Sequence, residues 1–81
     1  MPVKHVLNNH LPTLKAIGEK LKTLRNNNSL GIAEFSSAIG LSRNTYAMME
    51  AGKIYFNINT LLIILDYYSI SMRDFFQELE K

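Results

Sequence analysis

The side chains that could do covalent chemistry in this sequence are few, and their spacing suits none of the common reactions. No Cys is present, so disulfides, thiolate zinc sites and cysteine nucleophiles are excluded. His5 and His10 stand five residues apart, off a common helix face, and no Cys completes a metal site with them. Ser42 has no His and acid partners suited to a nucleophile arrangement. Gly18, Gly31, Gly40 and Gly52 are isolated, so no loop can cradle a phosphate through successive glycine amides. The sequence therefore predicts a non-enzymatic protein with no cofactor and no metal.

Charge is the remaining chemical resource. Residues 1–31 carry five basic side chains (Lys4, Lys15, Lys20, Lys22, Arg25) against Glu19, a net of +4. Residues 59–81 carry Arg73 and Lys81 against Asp66, Asp74, Glu78 and Glu80, a net of −2. A basic front and an acidic tail suit a polyanionic partner on one side. The longest apolar run, Leu61 to Leu65, is far short of the roughly 20 residues of a membrane span. With no signal pattern at the N-terminus and no Cys, the expected setting is soluble and cytoplasmic.

The elements that must position any binding surface follow from periodicity and caps. The expected organisation is a short leader over 1–11 and one domain over 12–81. Leu14, Ile17, Leu21 and Leu24 recur at steps of three and four, predicting a helix from Pro12 to about Asn26. A second helix is predicted over Ile32 to Ile39, with Phe35 and Ile39 inside, and Gly40 stopping it. Ser42 is a good N-cap for a third, Arg43 to Glu50, whose inward positions are Tyr46 and Met49. Asn59 is expected to cap a fourth over Thr60 to Tyr68, with Leu61, Leu65 and Tyr68 sharing one side. Ser71 caps a fifth, with Asp74 three residues on. Five short helices with no period-two segment make an all-α domain.

The segment from Phe35 to Gly52 is the informative one. Gly40-Leu41-Ser42 leaves room only for a tight turn between two helices, which crosses them steeply. Ser36 is small where those helices approach, and Leu41 plugs the turn from inside. With Ile17-Gly18-Glu19-Lys20-Leu21, Leu24-Arg25, Thr45-Tyr46, Met49-Glu50-Ala51-Gly52-Lys53, Leu61 and Ser71-Met72 in order around it, the chain resembles the lambda-repressor-like (Cro/repressor, Xre-type) helix-turn-helix family from about Ile17 to Phe76.

That resemblance implies a compact five-helix fold that binds double-stranded DNA sequence-specifically and regulates transcription, as a repressor or autoregulator. It places Arg43, Asn44, Ala47 and Met48 on the outward face of a recognition helix entering the major groove. Arg can fork onto guanine and Asn onto adenine. Ser42 and Thr45 would meet phosphate, and Lys53 and Asn57 match the region where the family touches the backbone. Arg25 and Glu50 match a structural ion pair.

Three positions depart from the family pattern. Gly31 and Ile32 stand where a polar cap and Gln are common, and Met48 where a polar residue is common. Either base contact concentrates on Arg43 and Asn44, with Met48 against a thymine methyl, or the scaffold serves as a protein-interaction adaptor or antitoxin-like partner with weak DNA binding. Surplus apolar surface at Tyr55, Phe56, Leu62 and Ile63 predicts a homodimer and hence a palindromic operator, unless the leader folds back over it.

Overall fold

The computed structural model describes residues 6–79. It contains α1 (Leu11–Asn27), α2 (Ile32–Ile39), α3 (Arg43–Glu50), α4 (Ile58–Tyr67) and α5 (Met72–Leu79). No strand occurs among the described residues. No helix among them is long and apolar enough to cross a membrane. Part of the expected leader, including His5, lies outside the described residues.

Each helix begins where a side chain or fixed dihedral lowers the cost of starting. Pro12 sits in the first turn of α1, where a missing N–H costs no helical bond. Ser42 Oγ accepts the Thr45 amide at 3.1 Å and opens α3. Ser71 Oγ accepts the Asp74 amide at 3.0 Å and opens α5. The start of α4 corrects the sequence reading. Asn57, not Asn59, is the cap, its Oδ1 accepting both the Thr60 amide at 2.9 Å and the Thr60 hydroxyl at 3.1 Å. Both asparagines are good caps by type, but Asn57 has the extended backbone of a cap (φ −87, ψ 164), while Asn59 already lies inside the helix.

The turn between α2 and α3 is tight because Gly40 takes φ +79, which lets Leu41 N donate back to Ser36 O at 2.9 Å. Ser36 is buried under that turn, its hydroxyl donating to Ala33 O at 3.2 Å. The core gathers one face from every helix: Ile17 and Leu21, Phe35, Tyr46 and Met49, Leu61, Ile64 and Leu65, and Phe75. The Phe35 ring meets Tyr46 edge-on at 5.1 Å between centroids and stacks on Tyr68 at 5.3 Å. Edge and offset arrangements of this kind align the ring quadrupoles favourably. They also lock α3 against α2 and α4.

Tyr46 is fully buried, and among the described residues neither its phenol oxygen nor Tyr68 Oη has a hydrogen-bond partner. Burial, and then the neighbouring Glu50 carboxylate, push the Tyr46 phenol far above its ordinary value. Burial pushes Tyr68 up to about 12. A folded-state value raised above the unfolded one gives stability that is intact below pH of about 10 and lost as pH rises further. The domain should therefore lose about 1.4 kcal/mol per pH unit from Tyr46 alone above that point. Urea unfolding at stepped alkaline pH measures this, and Tyr46→Phe should flatten the slope by that amount.

Candidate nucleic-acid interface

The surface in question is α3 and what surrounds it. Tyr46 and Met49 point into the core at 0% and 1% exposure, so the helix cannot rotate about its axis without losing both. By helical spacing this turns Arg43, Asn44 and Ala47 outward. Arg43 and Asn44 are exposed, while Ala47 and Met48 are half-buried. The structure thus brings Arg43, Asn44, Ala47 and Met48 to one side of α3. Asn44 leans along the helix, its Nδ2 lying 3.8 Å from Met48 Sδ.

The N-terminal end of α3 is partly satisfied from within. Ser42 Oγ donates to Thr45 Oγ1 at 2.8 Å while accepting the Thr45 amide. Thr45 is half-buried, so of these two hydroxyls Ser42 is the more open to an incoming group. The amides of Arg43 and Asn44 lie in the first turn, where helix geometry provides no internal acceptor. Lys53 is exposed just beyond α3, its amide bonded to Met48 O at 3.0 Å. Asn57 is exposed as well, but its Oδ1 is occupied in capping α4, leaving only its amide nitrogen for an outside partner.

Two interactions fix α3 relative to α1. Arg25 Nε donates to Glu50 Oε2 at 2.7 Å and its Nη2 to Oε1 at 3.0 Å, a two-pronged pair. Arg25 Nη1 donates to Leu30 O at 2.7 Å, so the same guanidinium also pins the α1–α2 connection. The pair is buried, the side chains being 9% and 6% exposed. Hydrogen bonding to Glu50 raises the Arg25 guanidinium above its ordinary value, against the burial that would lower it. The second interaction is a close approach. A Cβ at Gly18 would stand 2.3 Å from Glu50 O, so only glycine lets the end of α3 lie against α1.

The sequence pattern gives no hint of the Leu30 carbonyl in this network, because backbone groups carry no residue-type signal. The leader folds back over part of the surplus apolar surface, the alternative to a dimer, at the loop after α3. His10 Nδ1 and Tyr55 Oη are 2.7 Å apart, and Tyr55 Oη accepts the Leu7 amide at 3.2 Å. Among the four residues expected at a dimer interface, Phe56 is half-buried against the core and so turns mostly inward. Its apolar surface is spent inside the fold. Tyr55 is partly covered by the leader at 38% exposure, whereas Leu62 and Ile63 are open at 43% and 52%.

A family model described as "Helix-turn-helix domain" matches residues 18–78. The chain belongs to this helix-turn-helix family. The family is of the Xre-like kind that the order of residues around the α2–α3 turn resembles. No curated protein matches the sequence. Among solved structures, the chain is similar to the clp gene regulator ClgR from C. glutamicum, with a TM-score of 0.74 at 20% identity, over 82% of this chain and 85% of that one. That likeness is one of fold. The second helix of the helix-turn-helix motif is α3.

Proposed function

We propose that this protein is a sequence-specific DNA-binding transcription regulator that reads duplex DNA with α3 in the major groove and acts as a repressor or autoregulator. The observation that carries the reading is the orientation of α3. Its inner side is anchored by Tyr46, Met49 and the Arg25–Glu50 pair, which leaves Arg43 and Asn44 exposed at its capped N-terminal end. That is the end that meets base edges in this motif. Lys53 adds a cation beside it for the phosphate backbone.

Arg43→Ala is expected to weaken specific binding by about 1–3 kcal/mol and to relax choice at one base position. Lys53→Ala is expected to weaken binding to all sequences alike and to lower the salt slope by roughly one ion. Fluorescence anisotropy with matched and singly changed duplexes separates the two. Undiminished discrimination in Arg43→Ala would remove Arg43 from base reading.

The reading includes a homodimer on a palindromic operator. Supporting it is the open face of α4, where Ile58, Leu62, Ile63 and Tyr67 are all exposed. Residues four apart on a helix are neighbours, so Ile58 pairs with Leu62 and Ile63 with Tyr67, two apolar ridges that flank the exposed polar strip of Asn59 and Asp66. Sedimentation should show a dimer at micromolar concentration, and Ile63→Asp should shift it to monomer with the fold intact. A wild-type monomer at those concentrations would refute the dimer.

The same apolar face is what favours the second reading, an adaptor or antitoxin-like protein that binds another chain through α4 and DNA only weakly. Binding to duplex DNA that is indifferent to sequence would support it over the first.

A further inference from the structure

Ile32 departs from the family's hydrogen-bonding pattern at the start of α2, and its surroundings suggest what it does instead. Ile32 lines a shallow depression whose other walls are Arg43, Asn44 and Ala47. Its side chain is half-buried, resting on the core from one side and open to the depression on the other. The depression therefore has two apolar walls, Ile32 and Ala47, directly beside the two polar groups best suited to base edges. Two features argue for a base as its occupant. Arg43 brings a positive charge to its rim, which matches the phosphate-lined groove of duplex DNA. The one apolar group that DNA displays in the major groove is the C5-methyl of thymine.

We propose that the Ile32–Ala47 notch receives the C5-methyl of a thymine, so that part of the operator's sequence is selected by an apolar contact made jointly by α2 and α3. This rests on the DNA-binding reading above. Ile32 is then a specificity-determining residue: it forgoes a phosphate hydrogen bond at the start of α2 and supplies half of a methyl seat. Arg43 and Asn44 read the neighbouring bases, and the notch fixes the pyrimidine between or beside them.

The test begins with the duplex enriched from a random library by the wild-type protein. Each thymine of a half-site is replaced in turn by deoxyuridine, which removes the methyl and keeps every hydrogen-bonding group. One position per half-site should lose about fourfold in affinity, the scale of one buried methyl-sized group. In Ile32→Gln, checked for folding by thermal melting, thymine and deoxyuridine at that position should bind equally. Should Ile32→Gln fail to fold, Ala47→Ser tests the other wall, and the thymine–deoxyuridine ratio should fall there too. A scan in which no thymine is sensitive, or a sensitivity unchanged in the folded variants, overturns the methyl seat and leaves the DNA-binding reading standing. Failure of the library to enrich any sequence overturns both.

Discussion

Glu50→Ala is expected to cost about 3–5 kcal/mol of folding stability, the usual penalty for removing one member of a buried ion pair. The loss is large because of what remains. Arg25 is 7% exposed and would keep only one of its three partnered nitrogens, Nη1 on Leu30 O. A guanidinium cannot shed its proton to escape burial. The result is an uncompensated charge at the junction of α1, α3 and the α1–α2 connection. A chain of 81 residues has a total stability of roughly 4–12 kcal/mol, so the loss removes about a quarter of it at the least. Urea unfolding checks the size. Replacing both partners with apolar residues, Arg25→Met with Glu50→Leu, should recover most of the loss, because neither charge is then stranded. If Glu50→Ala costs less than about 1 kcal/mol, the pair behaves as a solvated surface bridge.

Gly18→Ala should be the second most damaging change, with a sign opposite to helix propensity. In an isolated helix, alanine is better than glycine by about 1 kcal/mol. Here the added Cβ would lie 2.3 Å from Glu50 O and 2.7 Å from Met49 O, both backbone atoms at the end of α3. Neither can swing aside as a side-chain tip could. Overpacking of this kind costs about 1–3 kcal/mol, and the immobile neighbours place this site at the upper end. Because α1 sets the position of α3, the residual folded protein should also bind DNA less tightly. Thermal melting together with anisotropy separates the two effects. A Gly18→Ala variant that is more stable than wild type would show that α3 does not pack on α1 as described.

These two sites illustrate what a linear sequence conveys and what it withholds. The boundaries of α2 and α3 were legible because Gly40 and Ser42 are conformational specialists: one takes a positive φ, the other caps with its hydroxyl. The inward positions of α3 were legible because Tyr46 and Met49 stand three apart, at helical spacing. α4 was harder. Its run Leu61 to Leu65 is apolar throughout and has no period, so the fully buried Ile64 was not singled out beside Leu61 and Leu65. Asn59 drew the cap assignment that belongs to Asn57, since both residues look alike without knowledge of which amide is in reach. Gly18 reads as an ordinary helix glycine until α3 is laid across it. The notch at Ile32 was legible only as a departure from a pattern. Its neighbours are 11 to 15 residues away along the chain, and the steep turn brings them together.

The most direct test of the account is selection of bound duplexes from a random library, followed by a salt titration on the enriched sequences. The account predicts a palindromic consensus whose half-sites are centred about one helical turn, 34 Å, apart. It also predicts affinity that falls steeply and linearly on logarithmic axes as salt rises. No enrichment, with only weak binding to any duplex, would contradict it and turn attention to the exposed face of α4 as the working surface.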